Sequence, residues 1–291
     1  MKQLKLGVIL LALLLAAMAM VPMVSAEENS ECLQLEKTTA IKVDGNIVAT
    51  KLMDPEFSVK NVNISREEFV NSNAGYIAFL KKKFDLNQST IDKIIDREYN
   101  KNNKPRSTAS VSTSVSSALV QIGGNNIYIW PYTNTGTAQY SSSGSINLIF
   151  YGMTKSEVTS YMKNSATYKY HQGTGWTEYG YRGSSTSSMS WTKNVYYNQL
   201  EYGSYLGSRY HLILLDGGYS STLGKYWSYG QTHYEYWSET AYTHYLYSNA
   251  FNTARSFICS AISSSKSRSL MYLYNYNAGI ADGYGYVFKM A

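Results

Sequence analysis

From residue 107 to the C-terminus the chain concentrates 27 of its 29 tyrosines while carrying only 18 charged side chains, 11 basic and 7 acidic. That composition restricts the fold. Tyrosine suits a pleated, half-buried surface, and the interspersed Ser, Thr and Gly supply turns. Residues 167–207 alternate and turn often, which predicts antiparallel hairpins. So many tyrosines cannot all be buried, and exposed aromatic area is expected. Residues 27–106 differ: they hold 13 basic and 13 acidic side chains and only two tyrosines.

The first 26 residues read as a secretory signal. Lys2 and Lys5 precede an apolar run from Leu6 to Val21, Pro22 breaks it, and Val24-Ser25-Ala26 supplies small residues for cleavage. The expected location is secreted or cell-surface, with no stable membrane span after cleavage. Cys32 and Cys259 are the only cysteines. Outside the cell they could pair; the alternative is two unpaired thiols, with Cys259 buried on a helix. Asn63-Ile64-Ser65 and Asn87-Gln88-Ser89 match the N-glycosylation triplet. Without the two signal lysines the excess positive charge is small and dispersed, which argues against a nucleic-acid partner.

Residues 27–99 are expected to form a small helical or mixed unit. Ala40–Val48 reads as a strand or hairpin. One helix is expected from Ser65 to about Lys82 and a second over Leu86–Tyr99. Such a unit suits either a secreted pro-segment or an extension packed on the main fold. Residues 100–118 have linker composition, and Lys104–Arg106 is the expected cut if the unit is a pro-segment. Residues 119–291 form the tyrosine-rich domain. Strands are expected at Leu119–Ile129, Ile146–Tyr151, Tyr210–Leu215, Trp227–Trp237, Thr243–Tyr247, Leu270–Tyr274 and Gly283–Met290. Thr154, with Glu157 three residues on, marks a capped helix, and Asn249–Ser263 a second. Gly217-Gly218 reads as a hairpin turn. The expected fold class is α+β, a mainly antiparallel sheet with two or three packed helices.

Several of these segments recur in a known order: Ile146-Asn147-Leu148-Ile149-Phe150-Tyr151-Gly152 before the Thr-capped helix, Arg209-Tyr210-His211-Leu212-Ile213-Leu214, Trp227 to Thr232, Thr243-His244-Tyr245, and Asn252 to Ile258. Residues 145–262 thus resemble the LssY C-terminal domain family, with its NLxFxG strand, HLRLW-like strand, GxAxxD segment and TH…D…AER passage. Gln231-Thr232-His233 departs from the small residues and acid of that pattern, and Asn252 and Thr253 stand where Asp and Glu are usual. The resemblance implies no specific activity. In some relatives the domain accompanies membrane lipid-phosphatase modules, and no such module is read in this sequence.

Three site chemistries compete. His211, His233 and His244 lie on expected strands; if those strands are neighbours they could converge with Asp216 or Glu235 as a zinc site. His233 and Glu235 share a strand face, and His211, flanked by Tyr210 and Leu212, is expected to face away from those two neighbours. An acid–base or hydrolytic site would use His211 or His244, with Asp216 or Glu235 orienting and Arg255 as an anion-binding fork. The third chemistry is a binding surface for a glycan or protein, built from Trp176, Trp191, Trp227, Tyr229 and Trp237. It rests on the largest compositional anomaly and ranks first. No resident cofactor is expected, zinc being the alternative. The glycine pairs lack phosphate-binding spacing.

Overall fold

The computed structural model describes residues 32, 35, 37–38, 40–43, 46–53, 64–101, 118–124, 126–134, 144–194, 198–273 and 281–291. The expected secretory segment, Asn63 of the first glycosylation triplet and most of the expected linker, with Lys104–Arg106, lie outside them.

Two sheets dominate. The larger holds nine strands: β1 (Lys37–Thr38), β7 (Leu148–Tyr151), β8 (His171–Gly173), β11 (Gln199–Gly203), β12 (Ser208–Ser220), β13 (Lys225–Ser238), β14 (Thr243–Leu246), β15 (Arg268–Tyr272) and β16 (Tyr284–Lys289). Their order is β1-β15-β16-β7-β13-β12-β11-β8, with β14 also paired to β13. The second sheet holds seven: β2 (Ala40–Val43), β3 (Asn46–Met53), β4 (Ala118–Ile122), β5 (Ile127–Asn134), β6 (Gly144–Ser145), β9 (Glu178–Gly183) and β10 (Ser190–Asn194). The architecture is therefore sandwich-like and mostly β, which corrects the expected helix-packed α+β class. The reason is pattern: Val48, Ile122 and Ile129 of the second sheet pack against Ile149, Leu215, Trp227 and Tyr229 of the first, so sheet-on-sheet contact forms the central core.

Five helices are described: α1 (Arg66–Ser72), α2 (Ala74–Phe84), α3 (Gln88–Lys101), α4 (Lys155–Asn164) and α5 (Ala250–Ala261). The sequence signals of α4 are realised in full. Thr154 accepts from the Glu157 backbone N–H, and the Glu157 carboxylate accepts from the Thr154 backbone N–H in return. Val158 and Met162 of α4, with Phe257 and Ile258 of α5, cover the face of the large sheet opposite the second sheet, over Leu148, Phe150, Leu212 and Leu214. Cys32 and Cys259 form a disulfide with 6.2 Å between Cα atoms, fastening the N-terminal arm to α5.

The N-terminal helical reading needs one correction. The single helix expected from Ser65 breaks at Asn73, separating α1 from α2. Asn73 is fully buried; its side-chain amide donates to the Phe69 carbonyl and its Oδ1 accepts from the Thr177 backbone N–H at 2.7 Å. Phe69, Tyr76, Leu80, Ile91, Ile94 and Ile95 form a core with Tyr205 and Trp237, so α1–α3 pack onto one end of the large sheet.

Gly217-Gly218 is not a turn. β12 continues through both residues to Ser220, with a register shift between Asp216 and Gly218. Gly218 adopts a φ of 90°. A Cβ on Gly217 would stand 2.8 Å from the Trp227 carbonyl oxygen. The glycines thus serve a β-bulge, and the chain reverses after Ser220 instead. Among the described residues, no helix is long and apolar enough to cross a membrane.

Candidate functional site

The bulge sets the register of the long β12–β13 hairpin, and the register builds the site. His211 lies directly opposite His233, and Arg209 opposite Glu235. Alternation then puts Arg209, His211, His233 and Glu235 on one face. His211 thus faces away from its neighbours Tyr210 and Leu212, as alternation predicts, and meets His233 across the hairpin. Glu201 of β11, registered with His211, joins the same group.

These side chains form a buried polar cluster. The Arg209 guanidinium, 1% exposed, donates to Glu235 Oε1 from Nε at 2.7 Å and pairs with Glu201 through Nη1. His211 Nδ1 lies 3.2 Å from His233 Nε2 and 3.3 Å from Glu235 Oε1, and His233 Nε2 lies 3.1 Å from Glu235 Oε2. His244 Nε2 meets the Tyr205 carbonyl oxygen at 2.8 Å, and its Nδ1 lies 3.4 Å from Arg209. The Tyr205 ring stands over the guanidinium at 5.0 Å, and its hydroxyl bonds the Tyr76 hydroxyl of α2 at 2.8 Å.

Burial governs the protonation states. It drives His211 down to about 3, with Arg209 acting in the same direction and Glu235 opposing. It drives His244 down to about 4, again with Glu235 opposing and Arg209 assisting. Burial alone would raise the Glu235 carboxyl, but Arg209, His233 and His211 hold it well below the ordinary carboxylate range. The cluster therefore presents neutral imidazoles His211 and His244 beside an ionised Glu235 at neutral pH. His211, His233 and Glu235 offer three ligand atoms within 4.8 Å of one another, a group that could hold a metal ion.

The other expected site residues are placed elsewhere. Asp216 is exposed near the bulge, 3.8 Å from Arg182. Arg255 is buried and forks onto Asp282 at 2.7 and 3.0 Å while donating to the Tyr284 carbonyl, a structural clasp away from the histidines. Trp227 and Tyr229 are fully buried between the sheets, and Trp237 is buried under α2 against Phe84. Trp176 and Trp191 are half-buried; Trp176 is stacked on Phe69 and Trp191 packs on Tyr181. These five rings serve packing. Arg209 and Glu201, which the sequence did not single out as site residues, complete the cluster; the signal for Arg209 was Arg-x-His facing His-x-Glu on two long neighbouring strands.

The exposed aromatic surface is made of other residues, on the reverse face of the same hairpin. Tyr210 stacks on Phe257 of α5 at 3.9 Å and on Tyr234 at 4.6 Å; Tyr234 stacks on Tyr247, which meets Tyr236 at 4.9 Å. Tyr236 lies opposite Tyr245 in register. The row ends in solvent, with Tyr236 39% and Tyr245 42% exposed. Compared with known protein families, curated proteins and solved structures, the chain matches none.

Proposed function

We propose that this chain is a secreted or cell-surface protein that binds a glycan through the tyrosine row ending at Tyr236 and Tyr245. One observation carries the reading: the row starts on Phe257 in the core and finishes as two exposed rings on neighbouring strands. Stacking fixes each ring through the previous one, so presenting the terminal rings costs little side-chain entropy on binding. A tyrosine ring offers an apolar face for a sugar C–H surface and a hydroxyl for its polar groups. The secretory pattern of residues 1–26 and the Cys32–Cys259 disulfide support an extracellular setting.

The test is selection of ligands from a panel of soluble and insoluble polysaccharides, followed by tyrosine-selective chemical labelling of the complex. Protection of Tyr236 and Tyr245, with Tyr219 and Tyr226 at the hairpin tip still labelled, is the expected result. Binding with Tyr236 and Tyr245 fully reactive would remove the reading, as would no binding to any polysaccharide alongside capture by a protein ligand.

A further inference from the structure

We infer that His211, His233 and Glu235 form a site for one divalent transition-metal ion of the zinc class, with Arg209 as the outer partner of the carboxylate. Two observations lead there. The first is geometric. His233 Nε2 lies 3.2 Å from His211 Nδ1 and 3.1 Å from Glu235 Oε2, and one ligand atom from each of the three residues lies within 4.8 Å of the others. Ligands bonded at about 2.0–2.1 Å around a tetrahedral ion stand about 3.3 Å apart, so the two short spacings already match. Hydrogen bonding explains the grouping less well. If both rings donate to Glu235, two N–H groups crowd each other at 3.2 Å; if one donates to the other ring, only one can also donate to the carboxylate.

The second observation is support. Metal-bound carboxylates are oriented by outer hydrogen bonds, and Arg209 fills that role by holding Glu235 Oε1 while Oε2 faces His233.

Access to this site runs under the helical unit. A Cβ on Gly175 would come within 3.0 Å of the His211 ring, so the 174–177 segment lies directly on it. That segment is fastened from above. The Thr177 backbone N–H donates to Asn73 Oδ1, its hydroxyl donates to the Ser72 carbonyl, and Trp176 is wedged between Phe69 and Tyr76. Ion entry therefore requires this strap to lift.

The experiment is titration of the chelator-treated, purified protein with Co(II), read by visible absorption, and with Zn(II), read by elemental analysis after desalting. The expected result is one equivalent of either ion, an intense Co(II) spectrum of low coordination number, and a raised thermal midpoint. His211→Ala/His233→Ala is expected to lose at least a hundredfold in affinity, and Asn73→Ala to speed uptake several-fold without changing stoichiometry. Folded wild-type protein that takes up no stoichiometric ion overturns the inference. So does retention of the spectrum in the double variant. If that variant does not fold, the wild-type titration alone decides. None of these readouts depends on glycan binding.

Discussion

The two faces of the β12–β13 hairpin are built from alternating residues of the same strands, yet they do opposite things. One face carries Arg209, His211, His233 and Glu235, all buried and tied to one another by hydrogen bonds and charge. The other carries Tyr210, Tyr234 and Tyr236, stacked from the core outward to solvent. What separates them is their covering. Helices α1–α3 close over the polar end of the first face, whereas α5 covers the second only as far as Phe257 and Tyr210. A one-residue step along β13, from Glu235 to Tyr236, thus passes from structural charge to exposed ring.

The strongest way to break this contrast is to remove the buried cation. Arg209→Met leaves Glu201 and Glu235 without their common partner. The loss expected in urea unfolding is about 3–5 kcal/mol, the range for breaking a buried ion pair from one side. A loss near zero would mean that the inner face is not held by charge.

A smaller effect comes from pH. His244 has its folded value depressed to about 4 from an ordinary 6.5. Between those values the unfolded chain binds the proton more readily, so this group's stabilising contribution is present above about pH 6.5 and is lost as pH falls towards 4. The slope is at most about 1.4 kcal/mol per pH unit for one imidazole. His244→Gln should reduce the slope of the stability profile between pH 6.5 and 4 by this share, leaving the share of His211, whose folded value is depressed to about 3; an unchanged slope would place the titration elsewhere.

The smallest stability effect belongs to the outer face. Tyr236→Ser and Tyr245→Ser remove exposed rings whose neighbours remain stacked, and each should cost less than about 1 kcal/mol in the same urea assay. A cost as large as that of Arg209→Met would show the row to be structural rather than a presented surface.

Parts of this arrangement were legible in the sequence. The α4 cap could be read because Thr154 and Glu157 settle it between themselves. The position of α5 followed from Phe251, Ala254, Phe257 and Ile258 at helical spacing. The break at Asn73 was not legible, because its partner Thr177 comes from another part of the chain. The bulge misled in the same way. A turn at Gly217-Gly218 would have set His211 opposite Gly224; the bulge moves the reversal beyond Ser220 and sets His211 opposite His233. The convergence of the histidines therefore depends on one register shift that local sequence does not reveal. Tyrosine abundance foretold an aromatic surface, but tryptophans were the wrong residues to look for, since the large sheet uses Trp227 and Trp237 as filling.

The most direct test of the account is co-sedimentation with the insoluble polysaccharide that wild type binds, run on Tyr236→Ser/Tyr245→Ser. The account predicts that the double variant keeps its fold and loses at least tenfold in affinity, equivalent to about 1.4 kcal/mol. Wild-type affinity in the folded double variant would contradict it, and the tyrosine row would then be packing alone.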